Sequence, residues 1–134
     1  MQTFLPYADF RKSAKVLDAK RLGKQRVEAQ QILNAMKRKS GGWVNHPATK
    51  MWREFSEALV VYRNECILEW VRRGYRNTME IIAVEAACIV FPNWLGDERI
   101  HASHRSNLLR KDPVYYSQFN WKEKNDMPYY WPVV

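Results

Sequence analysis

Cysteine is nearly absent: the 134 residues hold two, Cys66 and Cys88, too few for a disulfide framework. Both fall in apolar stretches expected to be helical, so they read as core thiols. Glycine is scarce too, with five in all and none in a G-x-G-x-x-G or G-x-x-x-x-G-K-[ST] pattern. Dinucleotide binding through a Rossmann loop and phosphoryl transfer through a P-loop lose their usual signatures. There is no C-x-x-C and no H-E-x-x-H, which weakens structural zinc and zincin chemistry. No apolar run is long enough to span a bilayer, and the first residues lack the charged-then-apolar order of a secretory signal. A cytoplasmic protein without a membrane span is expected.

Acidic residues are the other shortage. Fourteen Asp and Glu face 22 Lys and Arg, giving a net charge of +8 and a pI near 9.7. The imbalance is local. Residues 11–40 hold ten Lys/Arg and only two acids, Asp18 and Glu28, so this segment carries the whole net charge. Such a surface attracts polyanions. Nucleic acid is the leading partner, with an anionic membrane surface as the competitor. Length and a 46% hydrophobic content suit one domain, residues 1–134, able to bury a core without staples.

The apolar periodicity is helical throughout, and no alternating strand pattern emerges, so the fold class is all-α. A first helix is expected over 17–39, with Leu22, Ala29, Ile32, Leu33 and Met36 on one face. Asp18 suits its start, and Gly41-Gly42 ends it. Gly23 inside it costs ~1 kcal/mol against Ala and points to a kink, close helix packing or approach of a phosphate backbone. A second helix is expected over 47–73, opened by Pro47 and striped by Trp52, Phe55, Leu59, Tyr62, Cys66 and Trp70. Asn77-Thr78-Met79-Glu80 looks like a capping box for a third, apolar and buried helix running to 90. A fourth is expected over 102–111. Seven aromatics crowd the last twenty residues, and Pro128 and Pro132 keep this tail extended. The expectation is a compact bundle of about four helices wrapped by an aromatic segment.

Three constellations carry chemistry. On a helix Arg21, Lys24, Glu28 and Gln31 share one face, opposite Ala29, Ile32 and Leu33. A carboxylate facing DNA is repelled by phosphates unless it stabilises a positive charge developing in a reaction, as on the deoxyribose when an N-glycosidic bond breaks. The alternative is an exposed Lys24–Glu28 pair worth ~0.3–0.5 kcal/mol. In Trp43-Val44-Asn45-His46-Pro47, His46 either reaches a phosphate or base at a helix N-terminus or caps that helix. The run 97–107 offers Arg, His, Ser and Asn, with His104 and Arg105 as phosphate contacts. His101 and His104 stand at i, i+3 but lack further donors of the right kind, so neither a metal nor another cofactor is expected. The aromatic tail is either packing or a stacking platform for an unpaired base.

Leu22 and Glu28, Asn45-His46-Pro47, Glu69-Trp70-Val71-Arg72-Arg73-Gly74-Tyr75 and Asp112-Pro113-Val114-Tyr115-Tyr116 resemble, in this order and spacing, the pyrimidine-dimer DNA glycosylases of the phage endonuclease V type. The resemblance implies a helical, monomeric DNA repair enzyme that acts on double-stranded DNA containing a damaged base, kinks it and expels a base. It implies that an α-amine attacks C1′ of the 5′ pyrimidine to form a Schiff base, and that β-elimination then cuts the strand (abasic lyase activity). Glu28 falls at the family's essential glutamate, and Arg21 and Arg26 lie where the family grips phosphates. The phage nucleophile is a threonine exposed by removal of the initiator methionine. Here Gln2 follows Met1, a side chain large enough to keep the methionine in place, so the Met1 amine is the expected nucleophile. The alternatives are hydrolysis by water with the strand left intact, or a different damaged or modified base. An α-amine titrates at ~7.7–8.0, against ~10.4 for lysine, and is far more often neutral at pH 7. The contrasting reading is a non-catalytic nucleic-acid binder.

Overall fold

The computed structural model describes residues 1–133 and is helical, with no strand among the described residues. Six α-helices follow in order: α1 Phe10–Val16, α2 Ala19–Met36, α3 Pro47–Trp52, α4 Ser56–Arg72, α5 Glu98–Lys111 and α6 Pro113–Tyr116. Asp18 caps α2 as expected, accepting the Arg21 N–H. α2 lies along α4, α1 packs on α4, and α3 touches α2. Leu22, Ala29 and Ile32 from α2 meet Leu59, Tyr62 and Cys66 from α4 in the core, with Phe10, Trp52, Ile100 and Leu108 closing it. Burial pushes the Cys66 thiol up to about 12, in keeping with a core role.

Gly23 is explained by packing. A Cβ there would meet the Trp70 ring at 3.0 Å. The Trp70 ring is fixed in turn by its Nε1–H bond to the Arg76 carbonyl (2.8 Å) and by the Tyr75 ring at 4.3 Å. The glycine lets α2 approach α4 at this crossing.

Three expectations are corrected. The helix expected over 47–73 is two helices, because Phe55 leaves helical geometry (φ −130°, ψ 43°). No glycine or proline marks that break; the Arg53 side chain turns back to the Val44 carbonyl and the Phe55 N–H closes on the Trp52 carbonyl. A seven-residue helix, α1, precedes the expected first one and is capped by Asp9. The third correction is the largest. Residues 78–90 form no buried α-helix but an exposed, extended run with one 3₁₀ turn, Ala86–Cys88. The Asn64 amide on α4 holds it, accepting the Ile82 N–H (3.2 Å) and donating to the Ile82 carbonyl (2.7 Å), as a strand neighbour does. Ile81, Ile82, Val84, Ile89 and Val90 are β-branched and favour that conformation. Cys88 is therefore exposed rather than a core thiol.

The aromatic tail carries no helix from Asn120 to Val133, as expected. Tyr115 and Tyr116, however, lie in α6 and Phe119 in a 3₁₀ turn, against the expectation of an extended segment throughout. α5 holds the later part. Ser106 hydrogen-bonds Lys124 and Met127, Asn107 Nδ2 donates to the Met127 carbonyl, and Ser103 Oγ accepts the Tyr130 N–H. These polar residues were expected to suit phosphate; their groups are spent on the tail's backbone instead.

Candidate active site

The site begins with the first six residues. Gln2 to Pro6 are buried, an unusual place for backbone that belongs to no helix or sheet. Its peptide groups must find partners elsewhere, and side chains from across the fold supply them. The Phe4 N–H donates to Gln25 Oε1 (2.8 Å), and the Thr3 hydroxyl accepts the Trp52 indole N–H (2.9 Å). Leu5 is gripped at both ends: its N–H donates to His104 Nδ1 (2.9 Å), while its carbonyl lies 2.8 Å from His101 Nδ1. Since His101 Nε2 accepts the Gly96 N–H, its Nδ1 carries the proton for that bond. The Pro6 carbonyl accepts from Arg105 (2.7 Å).

Two residues expected to contact DNA thus serve another purpose. His104 is 1% exposed, and Arg105 is saturated by Pro6, Glu98 and Glu123. Imidazole and guanidinium suit phosphate oxygens, but here the N-terminal backbone and two carboxylates take them. Burial, with His101 and Arg105 adding to it, holds the His104 ring at about 3. An unfolded histidine titrates near 6.5, so below that pH the unfolded chain binds a proton the folded chain refuses. The stability is complete above about pH 6.5 and is lost progressively as pH falls toward 3. Between pH 6.5 and 5 the loss should reach about 2 kcal/mol. Urea melts across this window should show it, and His104→Gln, which keeps an acceptor for the Leu5 N–H, should flatten the slope. An unchanged slope would assign the acid sensitivity to other groups.

The buried N-terminal segment delivers Met1 to a cleft of about 400 Å³ lined by Met1, Gln2, Lys20, Arg21, Lys24, Gln25, Glu28, Lys111 and Tyr129, among others. Glu28 and Met1, widely separated in sequence, face the same space. Gln25 connects them: its Nε2 donates to the Gln2 carbonyl and to Glu28 Oε2, both at 2.9 Å. Four cations, Lys20, Arg21, Lys24 and Lys111, border the cleft around a single carboxylate. Burial first, with the charges of Arg21, Arg110 and Lys24 adding to it, shifts Lys111 below the ordinary lysine range. Arg21 is held by Asp18 at 3.2 Å, so its guanidinium is oriented. A second, more apolar hollow shares Lys20, Lys24 and Glu28 with the first and adds Gln31, Gly23, Val27 and Trp70.

Of the residues singled out from sequence, Met1, Arg21, Lys24 and Glu28 converge here, and Gln31 stands at the adjoining hollow. Arg26 does not: its guanidinium lies 4.3 Å from the Trp70 ring and donates to Asn77 Oδ1 at 2.7 Å. His46 caps α3, accepting the Ala48 N–H at 3.0 Å between the Trp43 and Trp131 rings. Burial and the Met1 ammonium hold it below the ordinary histidine range. It stands near the amine, but not as a cation.

Lys20, Lys111, Gln25 and Tyr129 escaped the sequence reading as site residues. Lys111 looks like an ordinary cation at a helix C-terminus, and Gln25 has no local signature. Tyr129 is the one aromatic of the tail that lines the cleft, packed against Phe4, His104 and Trp131. Among the described residues no three His, Cys, Asp or Glu come together as a metal would need, and no helix is long and apolar enough to cross a membrane.

A cleft lined by Met1, one carboxylate and four cations suits the opening of a glycosidic bond on a polyanion. The comparisons agree. The family model described as pyrimidine dimer DNA glycosylase matches residues 1–83, a stretch that takes in α1 to α4 together with Met1, Gln25 and Glu28. No curated protein and no solved structure gives a match. With more than half of its length matched, the chain belongs to the pyrimidine dimer DNA glycosylase family.

Proposed function

We propose that the protein works as a monomer on double-stranded DNA containing a damaged pyrimidine, UV dimers first, breaking its glycosidic bond (a dimer's 5′ base stays joined to its 3′ neighbour) and then cutting the strand at the resulting site. The observation that carries this reading is the shared cleft: Met1 and Glu28 line one cavity, linked by one amide, inside a ring of four cations. A base stacked in a duplex shields its glycosidic bond, so the damaged step must be distorted to reach the cleft. Lys20, Arg21, Lys24 and Lys111 neutralise the flanking phosphates. The neutral Met1 amine attacks C1′, and the bond from C1′ to the base breaks with its electron pair leaving on the base. The sugar carries positive charge as this happens, and the Glu28 carboxylate stabilises it at close range. The attacking nitrogen loses one proton; the C1′–O4′ bond then breaks with its electron pair leaving on O4′, which takes up a proton, and a protonated imine joins Met1 to C1′. Removal of a C2′ proton then expels the 3′ phosphate by β-elimination.

Borohydride reduces an imine to a stable amine, so trapping on a UV-irradiated duplex tests the whole sequence. A covalent adduct is expected, and peptide mass mapping should place it on the α-nitrogen of Met1. Glycosidic-bond cleavage without an adduct would leave a glycosylase that uses water. Tight, salt-sensitive binding with no cleavage at any lesion would leave a DNA-binding protein without catalysis.

A further inference from the structure

We infer that Gln25 is the positioning residue of this site: its side-chain amide sets the distance between the Met1 amine and the Glu28 carboxylate. The inference rests on the function proposed above. Gln25 is 1% exposed in the middle of a helix whose cleft-facing neighbours are charged. Its amide has every polar position filled. Oε1 accepts the Phe4 N–H at 2.8 Å and lies 2.7 Å from the Tyr62 hydroxyl; Nε2 donates to the Gln2 carbonyl and to Glu28 Oε2, each at 2.9 Å.

These partners leave the amide one orientation. Turned over, its oxygen would face a carbonyl and a carboxylate, and its NH₂ would face an N–H. Tyr62, buried on α4, locks the acceptor end, its hydroxyl also lying 2.7 Å from the Phe4 carbonyl. The donor end then does two things at once. It anchors the Gln2–Thr3 peptide, one residue beyond Met1, and it occupies Oε2 of Glu28, which leaves Oε1 for the sugar. The nucleophile and the charge-stabilising group come from distant parts of the chain, and this amide is the hydrogen-bonded bridge between them. Catalysis depends steeply on such a separation: an error of about 1 Å can cost roughly 10²-fold in rate.

A core amide needed only for folding would look similar in its burial. The two roles part in kinetics. Gln25→Glu keeps the shape and the acceptor for Phe4 and Tyr62 but removes the donor pole. Gln25→Met keeps the length and removes both poles. For each variant the measurements are the single-turnover rate of glycosidic-bond cleavage on duplex carrying one UV dimer (read as an alkali-labile site), the half-saturating protein concentration, and the thermal unfolding midpoint. Cleavage at saturation is expected to fall about 10²-fold or more in both variants, with half-saturation within about threefold of the parent. Cleavage within threefold of the parent in either variant overturns the inference. So does collapse of both midpoints, which would assign Gln25 to folding alone. Glu28→Gln is run beside them. If it keeps full activity, the functional reading fails; if it is inactive while the Gln25 variants remain active, only the positioning role fails.

Discussion

Glu28→Gln is expected to slow cleavage of the damaged nucleotide's glycosidic bond by at least ~10²-fold while tightening binding to undamaged DNA. The two effects have one origin. The carboxylate sits among Lys20, Arg21, Lys24 and Lys111, in a wall otherwise built for phosphate. Toward a bound duplex it is a repulsive charge, so its removal improves the electrostatic grip. Toward the sugar at the moment of bond cleavage it is the attractive charge, so its removal raises the barrier. The amide is nearly the same size, and its oxygen still accepts from Gln25 Nε2, so the geometry survives. Single-turnover glycosidic-bond cleavage together with a salt titration of binding reads both signs. Unchanged cleavage would return Glu28 to the status of a surface ion pair. Reduced cleavage with weaker binding would instead make it a structural residue of the cleft.

The second large effect concerns the amine. A chain fused behind a removable protein, so that Met1 is joined through an amide, should form no borohydride adduct, and its strand cutting should fall at least ~10²-fold. An amide nitrogen has no available lone pair, and the fused segment also displaces the terminus from its position at the cleft. Cleavage that leaves Met1 first should restore both activities, with intact mass confirming the terminus. Restoration separates loss of the nucleophile from damage to the fold. An adduct formed before cleavage would move the nucleophile elsewhere, and Lys111 is the first residue to map, since it lines the same cleft.

How far the sequence could lead depended on whether the signals were local. α2 was legible because its cap, its apolar period and its charged face all lie within one stretch, and Glu28 stood out by its charge. The stripe on α4 was legible for the same reason, but the break at 53–55 was not, since a carbonyl of a distant loop takes part in it. Residues 78–90 misled because an apolar β-branched run fits a buried helix or an extended ribbon equally well by composition. The deciding contact, the Asn64 amide, is 18 residues away. His104 and Arg105 have the chemistry of phosphate ligands, yet a peptide carbonyl or N–H satisfies the same atoms. Gln25 carried no signal at all, because its four partners converge only in the folded chain.

The grip of α5 on Leu5 and Pro6 also fixes when the protein can become reactive. During synthesis the N-terminal residues emerge first, but the groups that seat them lie 96 to 99 positions later. Closing a loop of that length is among the last steps a chain can take, because its entropy must be met before the contact forms. A nascent or truncated chain that lacks α5 therefore has no fixed place for Met1 beside Glu28. Lys111 and Tyr129, which line the same cleft, also come from that late part of the chain, so the cleft is complete only when the fold is.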